Sequence, residues 1–180
     1  MKRFLILVLY LYFSCPGIVL GQDKNHWERY QSRTLLDVIT LHRDSDEFRE
    51  LQSKKKAMLL TGDDFASQVR LTYMGEERPI SAGTRRLLEA WRKSFFKNNS
   101  PPPDEFKTQV LFKEGSQKYW LVAQNVLVAA LPTELKEGDA INAYVIWIGA
   151  IKTKKNWEWL FALNEFVPCP DPKQSCSLEH

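Results

Sequence analysis

The chain has 180 residues, of which 44% are hydrophobic and 12% aromatic, enough apolar material for one folded domain and too much for a chain disordered throughout. Its formal charge is +3, and loss of Lys2 and Arg3 with a leader leaves 23 basic against 22 acidic residues, a net of +1. A surface that neutralises successive phosphates needs a basic excess, so this balance argues against nucleic acid as the partner.

Lys2 and Arg3 precede an apolar run from Phe4 to Phe13, and the stretch from Ser14 to Gly21 ends in small residues. That order is the order of a secretory signal peptide, residues 1–21, with Val19 and Gly21 three and one positions before a cut ahead of Gln22. The run is short for a bilayer span, which takes about 20 residues, and Pro16-Gly17 interrupts it. Cys15 follows an apolar run, as the lipid-attachment cysteine of a bacterial lipoprotein does. Tyr12 and Phe13 are bulky where such sites carry Leu and a small residue, so Cys15 is expected to leave with the leader. The chain is therefore expected to be exported, to the periplasm or the medium, with no stable membrane span after cleavage.

Residues 22–168 are expected to form a single α+β domain, made of a mixed lead-in over 23–97, a proline linker over 98–104 and a β-rich core over 106–167. In the lead-in, Trp27, Tyr30, Leu35, Val38 and Ile39 approximate one helical face. Leu35 to Leu41 would also suit a short buried strand; helix is preferred. Asp44 and Glu47 have capping-box spacing, and Phe48, Leu51 and Gln52 follow into Lys54-Lys-Lys56. Lysines at a helix end complement the helix dipole, which is the reading preferred here over a nucleic-acid patch. Thr61 to Asp64 reads as a turn, since Asp63 and Asp64 lack the alternately spaced third ligand that a cation needs.

Gln68 to Tyr73 alternates polar and apolar residues, a half-buried strand, and Met74 to Pro79 reads as a turn. Ser81 then caps an amphipathic helix in which Leu87, Leu88, Trp91 and Phe95 share a face, expected to dock on a sheet rather than on a membrane. Asn98 begins an Asn-x-Ser acceptor that Pro101 disfavours, and Pro101 to Pro103 stiffen the linker.

Thr108 to Phe112 and Tyr119 to Ala123 read as a hairpin about Glu114 to Gln117. Asn125 to Leu131 is apolar without alternation, so it should be buried on both sides or bend across a barrel end, with Pro132 stopping it. Leu135-Lys-Glu-Gly-Asp139 is a tight turn with Gly138 free to take a positive φ. Ala140 to Ile151 is the longest strand, apolar on both faces from Tyr144 onward, hence a central strand covered on both sides, one cover being the helix around Trp91. Gly149 within it signals a bulge or a close backbone crossing. Lys152 to Asn156 reverses the chain and Trp157 to Val167 completes the set.

The expected fold is α+β: a helical lead-in and one amphipathic helix packed on a small, mostly antiparallel β-barrel or curled sheet. The Leu135 to Asp139 turn feeding a long apolar strand resembles the way strands begin in small SH3-like and OB-like barrels, an architectural analogy that implies no family.

In an exported chain Cys169 and Cys176 are most simply a disulfide clamping the tail 169–180, stabilising by about 2 to 3 kcal/mol in the chain-entropy picture. A redox-active pair needs closer spacing, and two thiolates alone leave a zinc site half empty. The histidines are His26, His42 and His180, and Leu178-Glu-His180 resembles the remnant of an expression tag, so His180 is not counted as chemistry. No nucleophile elbow, metalloprotease helix or phosphate-cradling loop is present, and His42-Arg-Asp44 lacks every companion of a kinase catalytic loop. No catalytic residue, cofactor or metal ligand is therefore expected.

The six tryptophans are read mainly as core. Trp157 and Trp159, on one side of one strand near a lysine-rich turn, are the pair that would stack a ligand if any were open. The function expected is that of an exported non-catalytic structural or protein-interaction module of a bacterial cell envelope. The alternative is a ligand- or glycan-binding domain using exposed tryptophans, with a hydrolase third.

Overall fold

In the computed structural model the described residues are 29–55, 57–60, 65–95, 103–154 and 156–169. They form an α+β structure with one mixed seven-stranded sheet and four α-helices, in the order β1 (Gln31–Ser32), α1 (Leu35–Arg43), α2 (Asp46–Gln52), β2 (Met58–Leu60), β3 (Ala66–Pro79), α3 (Ala82–Phe95), β4 (Thr108–Glu114), β5 (Gln117–Ala123), α4 (Asn125–Glu134), β6 (Ala140–Lys152) and β7 (Trp157–Pro168). The expected leader with Cys15, the turn at 61–64, most of the proline linker and Cys176 fall outside the described residues.

The sheet order is β1-β3-β4-β5-β7-β6-β2, and β6 also pairs with β3, so β3, β4, β5, β7 and β6 close a ring. The sequence pattern suggested a mostly antiparallel set. Closure makes one exception unavoidable, because five strands in a ring cannot all alternate in direction. The exception is β5 with β7, parallel and joined only at Val122↔Ala162 and Ala123↔Leu163. β1 adds a short parallel pairing on β3, Gln31↔Ser67 and Ser32↔Gln68.

Strand β6 runs from Ala140 to Lys152, as its apolar run predicts. It pairs along its length with β7, over Ala140 to Ile146 with β3, and over Gly149 to Ile151 with β2. Ile141, Ala143, Val145, Trp147 and Ala150 enter the main core with Phe112, Leu121, Phe161 and Leu163, while Ile148 and Ile151 pack with Leu87, Leu88 and Trp91 of α3 on the opposite face. Both faces of β6 are thus buried, with α3 as one cover. Helices α1, α2 and α4 close the main core with Leu35, Val38, Phe48 and Leu131.

Several local readings change in the fold. Met74 to Pro79 continues β3 instead of turning: Gly75 takes φ 68°, and the pairing with β4 shifts register between Tyr73 and Glu77, a bulge that bends the strand without ending it. Asn125 to Leu131 is helical, and Pro132 sits in the last turn of α4. The helix propensity of Leu127, Ala129, Ala130 and Leu131 outweighs the absence of a polar face, since α4 is short and only part of it meets the core. The capping box lies at Thr34 and Asp37, at the start of α1, whereas α2 is capped by Ser45, which accepts from the Phe48 amide at 3.2 Å. The side chain of Asp44 is one residue too early for that bond. Ser81 caps α3 as expected, accepting from the Thr84 amide at 3.0 Å.

Two glycines, one at a turn and one within β6, carry the conformations foreseen for them. Gly138 takes φ 94° and donates its amide to Tyr73 O at 2.8 Å. Gly149 takes φ 149°, the register with β7 shifts between Trp147 and Gly149, and an added Cβ would lie 2.2 Å from the Leu59 carbonyl oxygen. The crossing of β2 over β6 therefore excludes any side chain there.

Two contacts tie the outer parts to the ring. Glu114, at the end of β4, accepts the amides of Leu35 at 3.0 Å and Leu36 at 3.4 Å, receiving the first turn of α1. Burial raises the Glu114 carboxyl above its ordinary 4.5, and these two amides pull the other way. At the thin β5–β7 junction, Arg78 of β3 bonds Glu158 of β7 from Nη2 at 3.2 Å with its guanidinium 4.3 Å from the Trp120 ring centre of β5, while its Nε donates to Gln109 of β4 at 3.0 Å.

Gly149→Ala is expected to destabilise the fold by about 3 kcal/mol or more, because it adds both backbone strain and overlap with β2. Gly138→Ala, with open space around its Cβ, is expected to cost about 1 kcal/mol from φ alone. Urea denaturation of both variants checks the ranking, and equal losses would show that the crossing does not constrain position 149. For Glu114 the raised pKa means that the folded chain holds the proton more tightly than the unfolded one. Its contribution to stability is therefore greatest below the ordinary glutamate range and declines as pH rises through it to the raised value. Glu114→Gln is expected to remove this decline over the range just above the ordinary glutamate value, and Glu114→Ala to cost about 1 kcal/mol through the two lost acceptor bonds. Denaturation midpoints across that range, wild type against Glu114→Gln, provide the measurement.

Candidate functional site

The β2–β6 pairing sets Met58 opposite Ile151, and the Lys152 amide donates to Ala57 O at 2.9 Å. That pairing brings the segment after α2 against the turn after β6, although nearly a hundred residues of chain lie between them. Lys152 reinforces the join: its ammonium donates to the carbonyls of Gln52 and Lys54, the latter at 2.9 Å. The turn itself is tied by the Thr153 amide to Asn156 O at 2.8 Å. Helix α3 then lays its first turn beside both segments, with Gly83 facing Ile151.

Between these three pieces lies a groove of about 600 Å³, within the range of small-ligand sites. Its floor is apolar, from Ala57, Met58 and Ile151; Ser81 and Gly83 line the α3 side; Lys55, Arg86, Lys152 and Lys154 supply positive charge, and Glu158 is the single acid among the described lining residues. Glu158 already pairs with Arg78 at 3.2 Å. Lys152 is committed to the two carbonyls. Lys55, Arg86 and Lys154 make no ion pair among the described residues, in contrast to Arg78 and to Arg85, which lies 3.9 Å from Asp104. The groove therefore has a net positive rim over an apolar floor. Its one helix-borne hydroxyl, Ser81, accepts from the Thr84 amide at 3.0 Å and lies 2.9 Å from the Thr84 hydroxyl, with no histidine among the lining residues to act as a base.

The sequence reading did not find this groove. Lys54 and Lys55 are the residues assigned there to a helix end; α2 stops at Gln52, and both lysines lie beyond it. The usable signal was a pair of lysine-rich turns, Lys54-Lys-Lys56 and Lys152-Thr-Lys-Lys155. What joins them is a three-residue edge strand, too short to register as a strand in the sequence.

Trp157 and Trp159 do face one side of β7, and that side is inward. Phe48 of α2 covers them, at 4.6 Å from Trp157 and 5.4 Å from Trp159 between ring centres, and Trp159 lies 6.1 Å from Trp147. Both are half-buried. A sugar ring could stack on them only with Phe48 displaced. His42 stacks on Trp147 at 3.6 Å and meets Phe65 edge-on at 4.6 Å, inside an aromatic cluster. His26 and His180 lie outside the described residues. Cys169 is buried, its amide donating to Ala140 O at 2.8 Å; its expected partner Cys176 lies outside the described residues.

Among the described residues no group of three or more His, Cys, Asp or Glu side chains could hold a metal ion, and no helix is long and apolar enough to cross a membrane. No protein-family model matches the chain, and no curated protein or solved structure matches it either.

The packing of Phe48 over two tryptophans makes a spectroscopic prediction. Phe48→Ala is expected to shift tryptophan emission to longer wavelength and to raise quenching by acrylamide, at a stability cost of about 3 kcal/mol. The unsubstituted protein should show the blue-shifted, quencher-resistant emission of buried indoles. Emission already red-shifted in the wild type would mean that α2 does not cover the pair in solution.

Proposed function

We propose that this chain is an exported, non-catalytic module of a bacterial cell envelope that acts by binding, in a structural or protein-interaction role. The observation that carries this reading is the groove between α3 and the β2–β6 edge, a concave surface with an apolar floor and a cationic rim. Such a surface suits recognition of an envelope component. Ser81, bonded to Thr84, and Lys152, bonded to the carbonyls of Gln52 and Lys54, hold backbone in place, an arrangement suited to shape and charge rather than to bond making.

Export rests on the order of charge, apolar run and small residues over positions 1–21, and the Cys169–Cys176 disulfide belongs to the same proposal. So does the reading of the five-strand ring as a small barrel of the SH3-like or OB-like kind, supported by the Leu135 to Asp139 turn that leads into β6. In this reading α3 serves two ends. Its apolar face seals the sheet, and its first turn walls the groove.

The test is expression of the full chain in an exporting bacterium, followed by intact mass and fractionation. The expected product begins at Gln22, resists thiol alkylation until reduced, and sediments with purified envelopes when added back to them. A protein that stays in the cytoplasm with residues 1–21 attached, or that leaves envelopes entirely unbound, overturns the proposal.

A further inference from the structure

The charge around the groove is unlike the charge of the chain as a whole. Apart from the leader, basic and acidic residues nearly cancel, whereas the groove gathers four basic side chains around Glu158, which already pairs with Arg78. At the groove Lys55, Arg86 and segment 152–154 converge, and Lys55, Arg86 and Lys154 face it with no ion pair among the described residues. Like charges held together oppose folding unless something offsets them. Lys152 is offset by carbonyls; among the described residues the other three close no ion pair.

The floor decides what kind of anion fits. Met58 and Ile151 are opposed across the β2–β6 pairing and contribute to the same apolar cluster as Leu87 and Leu88. A bare inorganic ion would leave that floor wet. A long polymer would run beyond a space of about 600 Å³. Gly83 shapes the entrance: a Cβ there would meet Ile151 Cδ1 and Ser81 Oγ at 3.5 Å, ordinary contact, so glycine is not forced by crowding, and its bareness leaves the space beside Ile151 open.

We propose that this groove binds a small amphiphile with a phosphate head, its apolar body on Met58 and Ile151 and its head held by Arg86, Lys55 and Lys154. Guanidinium and ammonium groups together suit a doubly charged oxyanion, the guanidinium by its paired donors and the ammoniums as point charges. A free alkyl phosphate and a lipid headgroup share this chemistry. The inference rests on the reading of the chain as a binding module and names the ligand class of that module.

The test is calorimetric titration of the exported chain with hexyl phosphate, inorganic phosphate and hexanol, alongside co-sedimentation with vesicles of phosphatidylcholine with and without phosphatidate. Hexyl phosphate is expected to bind at least about tenfold more tightly than either fragment, since only it uses head and floor together. The double variant Arg86→Gln, Lys154→Gln is expected to lose at least about tenfold in affinity, and binding should weaken as salt is raised. Gly83→Leu, which replaces a glycine by a strong helix former while filling the space beside Ile151, is expected to abolish binding with the thermal midpoint kept or raised. Phosphatidate-dependent sedimentation would identify a lipid headgroup as the source, and binding of hexyl phosphate alone a soluble ligand; either outcome supports the shared chemistry.

Unchanged affinity in the folded variants overturns the proposal, as does inorganic phosphate binding as tightly as hexyl phosphate. A short oligonucleotide that binds more tightly than hexyl phosphate and displaces it overturns it too. Envelope retention, measured on the same proteins, separates this inference from the broader reading. Retention without hexyl phosphate binding removes the ligand assignment alone, and hexyl phosphate binding without retention removes the envelope reading alone.

Discussion

Five strands cannot close into a ring with every neighbour antiparallel, and much of this structure follows from where the one parallel junction is placed. It falls between β5 and β7 and consists of only two residue pairs. β7 enters from β6, its antiparallel partner, and β5 leaves into α4, so the chain never has to turn tightly between the parallel strands. Short parallel pairing is also the weakest place in the ring. Arg78, held by Gln109 of β4, reaches over to both strands of the junction, lying on Trp120 of β5 and bonding Glu158 of β7, so that side chains add to the few backbone bonds there. A guanidinium suits this position because its planar fork can bond in two directions and still offer a flat face to indole.

The second constraint is that β6 serves three partners along two edges. One edge belongs to β7 throughout; on the other, β3 hands over to β2, with the Trp147 amide donating to Phe65 O at 3.2 Å where β3 begins. The handover works because the backbone at Gly149 can adopt φ 149° and let Leu59 pass at a distance no Cβ tolerates. Inversion of the strand at this point also decides which residues face α3. Before the shift Trp147 points into the main core, and after it Ala150 does, leaving Ile148 and Ile151 for Leu87, Leu88 and Trp91. Loss of the irregularity would put alternate residues on the wrong face for the rest of the strand.

These dependencies explain which parts of the fold could be read from residues alone. The Ser81 cap, the face made by Leu87, Leu88 and Trp91, the hairpin about Gly115, the Gly138 turn and the double burial of β6 each rest on contacts within a few residues or on a pattern wholly inside one element. Met74 to Pro79 is not decided locally, because a glycine with φ 68° makes a bulge or a turn with equal ease, and only the partner strand decides. Asn125 to Leu131 lacks a polar face, and a short apolar run carries no period that separates helix from strand. Trp157 and Trp159 were placed correctly on one side of one strand. That their side is covered by Phe48 depends on where α2 docks, which no residue of β7 encodes.

The groove lay furthest from the sequence for the same physical reason. Each of its basic segments has an ordinary local explanation, since lysines gather at helix ends and at turns where their heads stay solvated. Summed over the chain their charge disappears against the acids. Only the β2–β6 pairing and the docking of α3 make neighbours of Lys55, Arg86 and Lys154, and both depend on the bulge at Gly149 and on the apolar cluster beneath. Fold and groove are therefore coupled in one direction. The core would survive without the three cations, because none of them closes an ion pair among the described residues or enters an apolar cluster. The cations could not meet without the core. Cations gathered at one groove, with structural work done by other residues, are what a binding surface requires and what packing alone does not call for.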